Sequence, residues 1–293
     1  MELNGRTAFI TGGASGIGRA IAERCAAEGM IVLLADIEAA ALADAAAALR
    51  ATGATVETYP LDVSDLDRYR AVAAQVLADH GPPCLLANNA GVAWKASASA
   101  ATPEDWRWTI SVNLLGLGYG ISLFVPAMIA AGMGGYVLNT ASITGLIVSP
   151  GNSAVYSASK HAVVAISETL AHELRPHGLH VAVLCPGSVA TNITEADRNV
   201  PAGLPREGLS AAGAEERAFT RAFVANGIAP SVVADQAFAA LAERRFYVVT
   251  HPEYRETIET RHREIEAAVR GAPASDVGLL ALAKQVLALE PLT

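Results

Sequence analysis

The chain opens with an apolar run, Arg6-Thr7-Ala8-Phe9-Ile10, that breaks at Thr11-Gly12-Gly13-Ala14-Ser15-Gly16-Ile17-Gly18 and resumes as a helical pattern from Arg19 to Glu28. Few folds accept strand, glycine-rich turn and helix in that order. A second strand, Ile31 to Ala35, ends in Asp36 and completes a βαβ unit, whose two strands must lie parallel. The turn then aims backbone N–H groups and a helix N-terminus at one spot, where a pyrophosphate can sit. The glycines are spaced G-x-x-x-G-x-G rather than the commoner G-x-G-x-x-G, and a plain glycine turn is the competing reading.

The same alternation continues. An Ala-rich helix from Ala39 to Arg50 closes at Gly53, and a strand from Thr55 to Leu61 delivers Asp62-Val63. Asp62 is either a turn residue or a partner for an adenine amino group. Ser64 with Asp67 resembles a capping box for a helix through Asp79. Further strands are expected at Cys84–Ala87, Tyr136–Asn139, His180–Cys185 and Arg245–Thr250. Thr102, Pro103, Glu104 and Asp105 start a long helix past Asn113 towards Met128, with Trp106 and Trp108 as packing residues. The pattern implies an α/β, Rossmann-type doubly wound parallel sheet of about seven strands with helices on both faces. No linker marks a second domain in residues 1–293, whose core is expected over about 5–250 with a C-terminal helical extension over about 251–293.

Composition bounds the setting. A hydrophobic share of 52% and mean hydropathy of +0.32 supply a large core, yet no unbroken apolar run reaches the roughly 18 residues a membrane span needs. Met1 to Gly5 lack a signal-peptide pattern, and the three cysteines have no metal-like spacing, with Cys84 and Cys185 in apolar runs that bury a thiol. A reducing cytoplasm is the expected location. The net charge of −8 and pI near 5.4 argue against a nucleic-acid surface. No His/Cys/Asp cluster offers a metal site, and His161, His172, His177 and His180 read as surface or packing residues.

Two features point to chemistry. Asp36, at the end of the second strand, can accept from adenosine ribose hydroxyls and would repel a 2′-phosphate. With no Arg or Lys among residues 12–15 or 37–41, NAD is favoured over NADP. Tyr156 and Lys160 lie one helical turn apart on one face, where the cation is expected to bring the phenol towards neutrality as a general acid/base.

With Asn88-Asn89-Ala90-Gly91, Asn113, Ser142 and Pro186-Gly187-Ser188-Val189-Ala190-Thr191 in order around these elements, the sequence resembles the single-domain branch of the short-chain dehydrogenase/reductase family. The resemblance covers about residues 5–250. It implies that Gly12, Ser15, Gly16, Ile17 and Gly18 hold the pyrophosphate, Asp36 the adenosine ribose, and Asp62 and Val63 the adenine, with Ile37 also in the cofactor site. Asn89, Ala90 and Gly91 would line the cofactor cleft, while Pro186, Gly187, Val189 and Thr191 would seat the nicotinamide. Tyr156 would exchange a proton with the substrate oxygen, Ser142 would hydrogen-bond that oxygen, and Lys160 would grip the nicotinamide ribose and lower the tyrosine pKa. Asn113 would kink its helix so that its main-chain carbonyl holds a water of the proton relay. The implied activity is interconversion of a secondary alcohol and a ketone with NAD. An NADP-linked carbonyl reductase and a catalytically silent NAD sensor are the alternatives. A homotetramer or homodimer is expected by analogy.

Two stretches depart from the family pattern. The gap from Ser142 to Tyr156 is a residue longer than usual, so a bulge is expected in residues 144–155. The C-terminal extension should form a solvated helix from Pro252 to Arg270, supported by Glu259/Arg263 and Glu266/Arg270 pairs, and a second helix bearing Leu279, Leu280, Leu282, Val286 and Leu287. Residues 191–217 read as a long irregular loop that, with Trp94 and residues 143–155, would enclose an apolar substrate pocket.

Overall fold

Phe9 and Ile10 are neighbours in sequence but belong to different cores, and so do Leu33 and Leu34. Adjacent strand residues point to opposite faces, so strands apolar at every position must be covered on both sides. The computed structural model describes residues 2–94, 98–148, 153–200 and 211–271. Its sheet is parallel throughout, with β1 (Thr7–Thr11), β2 (Ile31–Asp36), β3 (Val56–Pro60), β4 (Leu85–Asn88), β5 (Gly135–Thr140), β6 (Leu179–Cys185) and β7 (Tyr247–Val249). The strand order is β3-β2-β1-β4-β5-β6-β7. This is the doubly wound, Rossmann-type sheet that the alternation implied.

Helices α1 (Gly16–Ala27) and α2 (Ala39–Ala51) cover one face, where Ile21 and Leu42 pack with Ile10 and Leu34. Helix α3 (Leu66–His80) covers the other, where Tyr69 packs with Phe9 and Leu33. A continuous helical stretch follows on that side: α4 (Pro103–Ile110), a π-turn over Ser111–Leu115, and α5 (Gly116–Ala131). Helices α6 (Ala154–Leu174), α7 (Ala211–Ala225), α8 (Pro230–Ala242) and α9 (Arg255–Arg270) complete the described chain. Because the chain reverses direction across the sheet between β1 and β4, a crevice opens at the carboxyl ends of those strands.

Several local expectations need correction. The cap of α3 is Asp65, which accepts from Arg68 N at 3.0 Å, while Ser64 donates both its N–H and its hydroxyl to Asp62 Oδ1. Asp62 is thus engaged as a turn residue, and the Asx turn leaves the cap to the next carboxylate. At α4 the capping box forms between Thr102 and Asp105. Trp108 is buried, while Trp106 is 39% exposed. Residues 211–217, expected to be loop, open α7, since the Ala- and Glu-rich sequence there favours helix. In α9 Glu259 pairs with Arg255 at 2.7 Å rather than with Arg263, while the Glu266–Arg270 pair forms as expected. The second helix of the extension falls outside the described residues. Finally, the stretch Pro103–Ala131 is long and apolar enough to cross a bilayer by composition, although its Leu117, Phe124, Val125 and Met128 pack into the protein core.

Candidate active site

At the crevice the chain builds a cleft of about 220 Å³. Every residue singled out above as catalytic or cofactor-binding lines it except Gly18 and Asn113, which stand behind its wall. Gly18 has a steric role: a Cβ there would lie 2.0 Å from Gly12 O, so only glycine lets α1 approach the end of β1. The N-cap Ser15 makes no side-chain cap bond and the first turn of α1 carries no acidic residue, which leaves its N-terminus open to an anion. Asn89 holds this loop from the side, donating to Thr11 O at 3.2 Å and Gly12 O at 3.3 Å. Asp36 is tied to the loop as well, its Oδ2 accepting from Ala14 N and its Oδ1 from Glu38 N, both at 3.0 Å. Each carboxylate oxygen keeps a further lone pair for a ligand hydroxyl.

The other end of the cleft carries the proton-transfer groups. Tyr156 and Lys160 lie on α6, and Ser142, two residues past β5, lines the cleft with them, its Oγ accepting from Thr144 N at 3.2 Å and Thr144 Oγ1 at 3.1 Å. Lys160 is buried and donates to Thr140 O at 2.8 Å, with its Nζ 5.7 Å from the centre of the Tyr156 ring. Asn113 sits in the π-turn, buried at 2% exposure. Its amide clamps both sides of Val92, accepting from Val92 N at 2.8 Å and donating to Val92 O at 2.9 Å, and it also donates to Ser159 Oγ at 3.0 Å. The π-turn lets one residue slip out of the helical ladder. In this way Asn113 joins the wall after β4 to the helix that carries Tyr156.

Residues 6–201 match the profile of the family described as short chain dehydrogenase. The chain belongs to the short-chain dehydrogenase/reductase family. Members of this family are oxidoreductases, and so is this one. It is 33% identical over 278 residues to the CLA biosynthesis dehydrogenase/reductase of Lactiplantibacillus plantarum, covering 93% of this chain and 96% of that protein. It is also 33% identical over 265 residues to the C alpha-dehydrogenase of a Sphingobium strain, covering 90% and 86%. A short-chain dehydrogenase/reductase from Burkholderia phymatum, solved in complex with NAD, superposes with a TM-score of 0.87 at 38% identity over 94% of this chain and 99% of that one. One from Sphingobium yanoikuyae, in complex with NADPH, gives 0.72 at 25% identity over 92% and 99%.

The electrostatics of this short-chain dehydrogenase depart from expectation in one respect. Burial pushes the Tyr156 phenol above its usual value, and the group that pulls it back is the Ser142 hydroxyl rather than the Lys160 cation. Lys160 itself is drawn down by burial from 10.5 to about 8, so its charge is costly in the place where it was expected to act. The ammonium spends a donor on the Thr140 carbonyl and sits over the Tyr156 ring, 5.7 Å from its centre.

Sequence reading also missed residues. His251, just past β7, is buried; its Nδ1 accepts from Gly187 N at 3.1 Å and its Nε2 donates to Ser188 O at 2.9 Å. That pair of bonds fixes the tautomer and holds the Pro186-Gly187-Ser188 loop from behind. A histidine directly after an edge strand carries no motif, so nothing local announces it. Glu38, Arg198 and Asn199 also line the cleft. The apolar wall is made by Val92, Trp108, Val112 and Ile193; Trp94 packs edge-on against Trp108 at 5.3 Å without lining the cleft. The described part of residues 143–155 does not line it either, and residues 149–152 of the expected bulge lie outside the described residues.

Proposed function

We propose that this short-chain dehydrogenase uses NAD to interconvert a secondary alcohol and a ketone. One observation carries the reading: Ser142, Tyr156 and Lys160 share one end of a cleft whose other end holds Asp36 and an uncapped helix N-terminus. A dinucleotide fits that layout, with the open turn of α1 at its phosphates and Asp36 at its adenosine ribose. The nicotinamide, when bound, supplies the hydride acceptor or donor. Ser142 would hold the substrate oxygen by a hydrogen bond while Tyr156 takes its proton in oxidation or returns it in reduction. Lys160, with donors to spare beyond Thr140 O, would grip the nicotinamide ribose and stabilise the tyrosinate. The Asn113 carbonyl, within the π-turn, would hold the water that connects the site to solvent.

The apolar wall of Val92, Trp108, Val112 and Ile193 supports a substrate of moderate size with an aromatic or alicyclic body. The protein is proposed to act in the cytoplasm as a homodimer or homotetramer. Only 33% of the most apolar window of Pro103–Ala131 is buried within one chain, which leaves an apolar face for a second copy.

A panel of secondary alcohols with NAD and with NADP, followed by nicotinamide absorbance, tests the reading. Turnover with NAD, abolished by Tyr156→Phe, is the expected result. No turnover in any alcohol or ketone class with either cofactor refutes it, and faster turnover with NADP makes the enzyme a carbonyl reductase instead.

A further inference from the structure

Near Asp36 the sequence offers no cation within reach along the chain, yet the fold delivers one from far away. Residues Asn192–Asn199 form a 3₁₀ segment that lines the cleft. At its start Thr191 packs against Gly16, where an added Cβ would meet Thr191 Cγ2 at 3.0 Å. At its far end the segment is fastened to the residue two places beyond Asp36. Arg198 donates to Glu38 Oε1 from Nε at 2.8 Å and from Nη2 at 2.7 Å, and Asn199 Nδ2 donates to the same oxygen at 3.0 Å. The remaining guanidinium nitrogen, Nη1, is spent on Asn192 O at 3.0 Å and Glu195 O at 2.8 Å. Glu38 is in turn tied to Asp36, donating its N–H to Oδ1 at 3.0 Å.

We propose that Glu38 is a specificity-determining residue of this cleft: by neutralising Arg198 it withholds from a 2′-phosphate the cation that the fold places beside Asp36. Selection against NADP then rests on two carboxylates. Asp36 repels the phosphate directly, and Glu38 masks the arginine that would otherwise attract it. Arginine is well suited to phosphate because its planar fork donates along two parallel bonds, and here that fork is already occupied by a carboxylate. The inference rests on the proposed NAD reading and deepens it.

The test is direct binding of NADH and of NADPH, followed by reduced-nicotinamide fluorescence, to the wild type, E38Q, R198M and the double variant. Glutamine keeps the shape of Glu38 while removing its charge, and the pair is partly exposed, so E38Q retains the fold. In E38Q the affinity for NADPH should rise about tenfold while that for NADH changes less than about threefold, as expected for one uncompensated charge near a phosphate. The gain should shrink with added salt. It should vanish in the double variant, and R198M alone should show none. An unchanged NADPH affinity in E38Q, or a gain that persists in the double variant, overturns the inference. If the wild type binds NADH but E38Q behaves in either of those ways, only this inference fails; a wild type that binds neither cofactor, or prefers NADPH, removes the NAD reading beneath it as well.

Discussion

Helices α6 and α9 are both long and both carry charge, yet they belong to opposite regimes. Helix α6 buries Ser157, Ser159, Ser167 and Lys160 along with Val155, Val163, Leu170 and Leu174. Helix α9 buries no residue at all; Ile265 and Val269 remain exposed, and i,i+4 ion pairs run along its surface. Exposed pairs of that kind add only tenths of a kcal/mol. The difference teaches where function is written. Helix α9 keeps its charges outside and reaches the rest of the fold where Arg261 Nη1 donates to Leu146 O at 2.9 Å, whereas a helix that buries hydroxyls and an ammonium breaks the apolar pattern in order to present them. Each of those buried groups is answered by a partner: Ser157 by Ser153, Ser159 by Asn113, Ser167 by Asn139 and Lys160 by Thr140 O.

The contrast can be broken or sharpened by substitution. The largest effect is expected from Tyr156→Phe, which should lower turnover by about a thousandfold or more while NADH affinity stays within about threefold; steady-state rates and fluorescence titration check both halves. Asn113→Ala strands the N–H and C=O of Val92 and removes a donor to Ser159 Oγ, whose own hydroxyl still donates to Tyr156 O at 2.7 Å. A loss of about 2–4 kcal/mol in urea unfolding is expected, although Asn113 does not line the cleft.

Lys160→Met separates chemistry from stability. Because burial lowers the Lys160 ammonium to about 8 against 10.5 in the unfolded chain, the unfolded state binds that proton more readily between those pH values. The lysine therefore costs stability below about pH 8, and the cost fades as pH climbs towards 10.5. The Met variant should lose turnover, gain up to about 3 kcal/mol at pH 7 and lack the lysine's upward slope; unfolding series from pH 7 to about 10 on both proteins measure it. On α9, Ile265→Gln should shift stability by less than about 0.5 kcal/mol and leave turnover unchanged, since the side chain is 52% exposed. A large effect there would mean that α9 has a packing partner and would erase the contrast.

Legibility followed sequence range. The strands were readable because each is a short apolar run that ends in Gly, Asp, Asn or Pro, and parallel crossovers leave few ways to join them. The glycine loop, Asp36 and the Tyr156/Lys160 pair could be named because each sits within a local motif, whereas Ser142 came from the family resemblance. The cap of α3 was misplaced by one residue because Ser64 and Asp65 are both competent caps, and the contest was decided by the turn Ser64 makes with Asp62. The start of α7 was missed because the glycines and prolines before it suggested a loop that ran on. His251, and the meeting of Glu38 with Arg198 and Asn199, join residues far apart in the chain, and no spacing rule reaches them.

The order of residues alone determined that strands and helices alternate, that the chain turns tightly at its glycines, and that a tyrosine and a lysine share a helix face. These follow from steric and periodic constraints acting within a few residues of one another. Only the tertiary structure decided how those groups are charged and what surrounds them. Desolvation and through-space pairing depend on which distant segments come together, and this is why the Tyr156 phenol is pushed up rather than down and why the cation near Asp36 arrives already paired with Glu38.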